Sequence, residues 1–144
     1  MLLETPEANL VAGMKWLQGT YAQRFNLRHG LRGHVFQGRY KALLIDGEET
    51  GHFLQASSYI HLNPVRAGLV KPNQPLKIYP WSSFPSYVAS PGKRMEGVYV
   101  DRVFGELGHP KDSRVARQKY ERYMEDLVGK CREVEGKRGL EEKW

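Results

Sequence analysis

Tyr59 and Asn63 stand four residues apart in the stretch Tyr59-Ile60-His61-Leu62-Asn63-Pro64-Val65-Arg66-Ala67-Gly68. In a helix, that spacing brings a phenol and a carboxamide onto one face, within reach of the same phosphate or metal ion. A phenolate is a competent nucleophile toward a phosphodiester, and the covalent intermediate conserves the energy of the broken bond. The departing 3′-hydroxyl needs electrostatic help, for which a divalent metal polarising the phosphate is the usual source. His52, Gln55, Tyr59 and Asn63 recur at spacings of three, four and four, and each is polar or carries a polar tip. An amphipathic helix normally turns Lys and Glu to water, so a wet side of this kind reads as the lining of a site. Asn63 also has a purely structural reading. Pro64 pushes the residue before it out of the α region, ending the helix near Leu62 or Asn63, and Asn is a good N-cap for a turn starting at Pro64.

A helix from about Glu48 to Leu62 is expected to present these groups, with Asp46-Gly47 as the preceding turn and acids in its first turn, where the helix dipole favours them. Phe53, Ala56, Ser57 and Ile60 are its expected core face. Upstream, Thr5 as N-cap with Pro6 at the first helical position starts a helix that runs from about Glu7 to His29. Its apolar stripe is Leu10, Met14, Leu17, Tyr21 and Phe25. From His34 to Asp46 the residues alternate: Phe36, Tyr40, Ala42 and Leu44 against Gln37, Arg39 and Lys41. This predicts one strand or a tight pair broken near Gly38.

The chain's net charge of +6 is unevenly placed. Residues 8–95 hold eleven basic side chains against three acidic ones, whereas from residue 101 onward the balance is eleven to ten. A positive field so concentrated favours a polyanion, because each neutralised phosphate releases condensed counterions. Arg24 and Arg28 share a helical face leading into the basic turn at Arg32. Arg39 and Lys41 point the same way along the expected strand. With Arg66, these are the candidate DNA-binding residues; solvated helix and strand faces are the bland alternative.

Farther on, Tyr79-Pro80-Trp81-Ser82-Ser83-Phe84-Pro85-Ser86-Tyr87 invites a base-stacking reading, but rings closing the core are the safer one. Pro91-Gly92-Lys93-Arg94 reads as an exposed loop. Val100 to Lys130 reads as two helices separated by Gly108-His109-Pro110, with only a weak helix-turn-helix signal. From Glu133 the sequence is charged and poor in apolar residues. There is no internal repeat, no Gly-rich nucleotide loop and no Ser-His-Asp order. A single cysteine, Cys131, excludes an intramolecular disulfide and suits a reducing cytoplasm. No run approaches the roughly 20 apolar residues of a membrane span.

The Tyr59–Gly68 segment closely resembles the nucleophile segment of the REP-associated tyrosine transposases, a branch of the single-tyrosine HUH superfamily. The resemblance covers residues 2 to about 88, and more loosely the Tyr120-Glu121-Arg122-Tyr123 helix. It implies an α+β fold: part of a ferredoxin-like domain with helices on an antiparallel sheet, here lacking its N-terminal strands, followed by a helical extension. The resemblance makes 1–90 the C-terminal portion of the transposase domain, while the residue pattern makes 91–132 a helical extension and 133–144 a charged, disordered tail. By the same resemblance, Tyr59 matches the nucleophile and Asn63 the helical residue beside the metal. Implied with them are Mg²⁺ or Mn²⁺ in a complete member, single-stranded or hairpin DNA as substrate, a 5′-phosphotyrosine intermediate in transposition, and a homodimer. The family's His-hydrophobic-His metal motif is absent from this chain. Its histidines are His29, His34, His52, His61 and His109, no two separated by a single residue, and the motif's expected place is just upstream of Met1. His52 and His61 are substitutes in principle, although a lone helical histidine is more often surface or satisfied core. Two functions follow as expectations: a strand-transfer transposase in complete form, or a catalytically inactive DNA-binding remnant of one.

Overall fold

The alternating stretch from His34 does not become a strand. The computed structural model describes residues 1–141 apart from Asp46, Glu48, Glu49 and Pro72, with side chains as far as Glu133. Among these described residues there is no sheet, and every regular element is helical. The expected α+β, ferredoxin-like architecture is therefore overturned. A strand is held by a hydrogen-bonded neighbour, and no second strand stands among the described residues to pair with 34–45. The run is also broken at Gly38, whose φ of 72° is outside extended backbone.

The chain divides into two compact units, residues 3–44 and residues 1–2 with 45–144. In the smaller unit, α1 spans Leu10–His29. It begins after Asn9, not at the expected Thr5-Pro6 start. It ends where Gly30 adopts the left-handed conformation at φ 63° and Leu31 N–H donates to the Asn26 carbonyl at 2.9 Å. Asn26 Nδ2 reaches forward to the Gly33 carbonyl at 2.9 Å, tying down the basic turn. The predicted stripe does not make a core, since α1 has no buried residue. Tyr21, Phe25, Phe36 and His29 instead form a chain of ring contacts at 4.4–5.9 Å.

The larger unit holds the core. Its helices are α2 (His52–Arg66), α3 (Phe84–Val88), α4 (Asp101–Gly105) and α5 (Arg114–Glu141), with single 3-10 turns at Leu76–Ile78 and Pro91–Lys93. Ala116, Tyr120, Met124 and Val128 recur every four residues along α5 and are fully buried. This one stripe packs against Leu62 and Val65 of α2, Phe84 of α3, and Val103 and Phe104 of α4. Burying side chains of that size is worth ~1.5–3 kcal/mol each. The loop before α3 is pinned to α5: Leu76 N–H donates to Glu125 at 3.1 Å, and Arg132 Nη2 donates to the Lys71 and Gln74 carbonyls, each at 3.1 Å. The two expected C-terminal helices are present, the first only five residues long. The charged tail falls mostly on residues whose side chains lie outside the described set. No helix among the described residues is long and apolar enough to cross a membrane.

Candidate nucleic-acid interface

Helix α2 carries the candidate site, and both of its ends differ from expectation. It starts at His52, after Gly51 at φ 100°; the acids expected in its first turn, Glu48 and Glu49, lie outside the described residues. Its N-terminal amides are held from afar. Phe53 N–H and Leu54 N–H donate to the two carboxylate oxygens of Glu106 at 3.2 and 2.6 Å. Glu106 thus supplies an acceptor and a negative charge where the helix dipole wants both. At the other end, α2 continues through Pro64 to Arg66, and Ala67 N–H closes on the Asn63 carbonyl at 2.9 Å. Pro64 is buried inside the helix and does not terminate it. Only its own missing N–H is lost from the ladder.

The buried face of α2 is Ser57, Ser58, His61, Leu62, Pro64 and Val65, rotated from the expected Phe53, Ala56, Ser57 and Ile60; Ser57 is common to both, and Phe53 packs half-buried against the core. His61, 1% exposed, is thereby removed from any metal role. Its Nδ1 lies 2.9 Å from the Tyr120 hydroxyl and its Nε2 2.8 Å from Ser83 Oγ, while Ser57 Oγ lies 2.9 Å from the same hydroxyl. Phe84, Tyr87 and Tyr120 enclose the imidazole ring. Burial lowers the His61 pKa to about 4 and pushes the phenols of Tyr87 and Tyr120 up. All members therefore stay neutral near pH 7. The network is satisfied when Tyr120 O–H donates to Nδ1 and Nε2–H donates to Ser83. It is a polar knot in the core, and Ser83 and Phe84 join it from the aromatic run whose core role was the expected one. Trp81 of that run is 86% exposed instead.

The outward face retains the predicted polar stripe. Tyr59 is 58% exposed, and Gln55, Asn63 and Arg66 are exposed with it. Arg66 sits over the Tyr59 ring, its Cζ 4.8 Å from the centroid. A guanidinium stacked in this way spends its face on the ring and keeps its in-plane N–H groups for an acceptor. Beside the pair, a groove of about 680 Å³ runs between α2 and α5, with Leu54, Leu62, Tyr123 and Leu127 as its apolar wall and Gln55, Ser58, Tyr59 and Arg66 among its polar lining. Sequence reasoning found Tyr59, Asn63 and Arg66 but missed Tyr123, Leu127 and Glu106, whose roles depend on contacts made across more than fifty residues. Tyr123 entered the sequence reading within the loosely resembling Tyr120-Glu121-Arg122-Tyr123 segment.

The other basic candidates fall in the smaller unit, where Arg24, Arg28, Arg32, Arg39 and Lys41 are all exposed. Arg39 and Lys41 lie on irregular backbone, so the expected shared strand face is lost. Two members of the basic field are already paired. Arg94, expected in an exposed loop, donates to Asp112 at 2.8 Å, and Arg117 holds the other Asp112 oxygen at 2.6 Å. Lys77 pairs with Glu121 at 2.9 Å, which raises its pKa through that hydrogen bond and charge.

The donors around Tyr59 do not suit a divalent ion. Hard cations are held by one or more carboxylates together with carbonyls and water, whereas Gln55 and Asn63 offer neutral carboxamides and the described lining of the adjoining groove contains no carboxylate. No group of three or more His, Cys, Asp or Glu side chains converges among the described residues. No protein-family model, curated protein or solved structure significantly matches the chain.

Proposed function

We propose that this chain is a transposase-like DNA-binding protein of the reducing cytoplasm that engages single-stranded or hairpin DNA. The face of α2 bearing Tyr59 and Arg66 takes the sugar-phosphate backbone. The observation that carries this reading is the Arg66 guanidinium stacked on the exposed Tyr59 ring. A phosphate accepting from the free edge of that guanidinium is brought beside the phenol oxygen, with Asn63 one turn away to donate to a second phosphate oxygen. The exposed cations of the smaller unit supply the non-specific attraction that makes such binding strong at low salt. The likeness of the Tyr59–Gly68 segment to a nucleophile segment adds DNA as the polyanion.

A second reading, strand cleavage, is favoured by the exposed phenol itself. In that step the Tyr59 oxygen forms a bond to phosphorus, the P–O3′ bond breaks, and the 3′-hydroxyl leaves carrying a proton. Because the donor set around Tyr59 does not fit a metal, binding without cleavage is the reading preferred for this chain. The deciding experiment incubates the protein with a labelled single strand in Mg²⁺ or Mn²⁺ and runs the mixture on a denaturing gel. Salt-dependent binding with no covalent adduct supports the preferred reading. An adduct that Tyr59→Phe abolishes establishes cleavage, and absence of DNA binding at low salt sinks both.

A further inference from the structure

We infer that the groove between α2 and α5 holds one unstacked adenine of the bound strand, read by Gln55. This rests on the reading of the Tyr59–Arg66 face as a DNA-backbone site and extends it from phosphate to base. The volume, about 680 Å³, lies within the ~300–1,000 Å³ typical of small-ligand sites. The chemistry of the lining selects the occupant. Leu62, Tyr123 and Leu127 provide an apolar wall with one aromatic ring, a surface on which the flat face of a base is stable. At the polar lip, Ser58 Oγ is occupied, donating to the Leu54 carbonyl at 2.6 Å. The exposed Gln55 carboxamide has no hydrogen-bond partner among the described residues. A free carboxamide places a donor beside an acceptor, the complement of adenine N7 and N6–H₂.

The rim carries a cation, Arg66, and the described lining contains no carboxylate, so the groove suits a heterocycle tethered to an anion. With the phosphate on Arg66 and Tyr59, the neighbouring base has the groove directly in front of it. The lining comes from one face of α2, from His52 to Arg66, and one turn of α5, Tyr123 to Leu127, so both walls are helices already held by the core.

The test measures binding of the full chain to fluorescent dA, dC and dT 12-mers and to a 7-deazaadenine 12-mer, across a salt series. The 7-deaza base lacks only the N7 acceptor. Preference for dA over dC and dT of fivefold or more is expected. Both 7-deazaadenine and Gln55→Leu should erase it, with the salt slope of binding unchanged. Gln55 is exposed, so the variant is expected to fold. Equal affinity for all strands with normal salt dependence overturns the base site and leaves the backbone-binding reading intact. A dA preference that survives Gln55→Leu overturns the assignment to this groove. Failure to bind any strand at low salt overturns both readings together.

Discussion

The Arg66 guanidinium lies over the ring of Tyr59, two helical turns before it on α2, with Cζ 4.8 Å from the centroid. The contact fixes where the positive charge stands relative to the phenol oxygen, because the helix fixes both Cα positions and the stacking fixes the long side chain. A phosphate drawn to Arg66 therefore arrives beside Tyr59. Arg66→Gln is expected to weaken single-strand binding by roughly tenfold, about 1.4 kcal/mol. It should also lower the magnitude of the log-log salt slope by about 0.7, the contribution of one contact to a single strand. Tyr59→Phe, which keeps the ring and the stacking, should leave affinity close to that of the wild type. Fluorescence anisotropy over a salt series checks both, and an unchanged slope in Arg66→Gln would remove Arg66 from the interface.

Arg39 and Lys41 are predicted to act as separate backbone contacts. Both are exposed on irregular chain, where nothing aligns them into one face. The double variant Arg39→Ala/Lys41→Ala should weaken binding uniformly across DNA sequences and reduce the slope by about twice the single-contact amount. Loss of affinity confined to one sequence would mean base readout instead.

Local pattern and tertiary partnership explain which features were legible in the sequence. The polar stripe of α2 and the existence of α1 and α5 were readable, because 3.6-residue periodicity needs no partner to announce it. Strand formation in 34–45 was not, since alternation describes a half-buried surface and cannot supply the neighbouring strand that would bury it. The rotation of the α2 core face was missed for a related reason. His61 and Ser58 score as polar, yet Tyr120 and Ser83 satisfy the imidazole and the Leu54 carbonyl satisfies Ser58, so both are admitted to the interior. Pro64 was read as a stop by its usual rule. Here, packing of Pro64 and Val65 in the core continues the helix through it.

Glu106 is expected to set the stability of the start of α2. Its carboxylate accepts from the Phe53 and Leu54 amides, as a side-chain cap would, so Glu106→Ala should cost about 1–2 kcal/mol in chemical denaturation. The same variant should speed hydrogen exchange at those two amides while the central turns of α5 keep their protection. Equal acceleration throughout the larger unit would show a global effect with no capping role.

Protonation of His61 should make this protein acid-sensitive in a defined window. Its pKa in the folded chain is lowered to about 4 by burial, against an ordinary value of 6.5. Above pH 6.5 the imidazole is neutral in both folded and unfolded chains, and stability does not depend on it. As pH falls from 6.5 toward 4, the unfolded chain takes up the proton and the folded chain does not, so unfolding is favoured progressively. The loss is about 2 kcal/mol by pH 5 and saturates at roughly 3 kcal/mol below pH 4, where both states are protonated. The urea midpoint should fall accordingly between pH 7 and pH 5, a range above that in which ordinary carboxylates titrate. In His61→Gln the protein should start less stable, because the Tyr120 and Ser83 hydroxyls lose their ring partner, but most of the pH dependence over that window should vanish. A wild-type midpoint that stays flat from pH 7 to pH 5, or a slope that survives in His61→Gln, would show that His61 does not govern this transition.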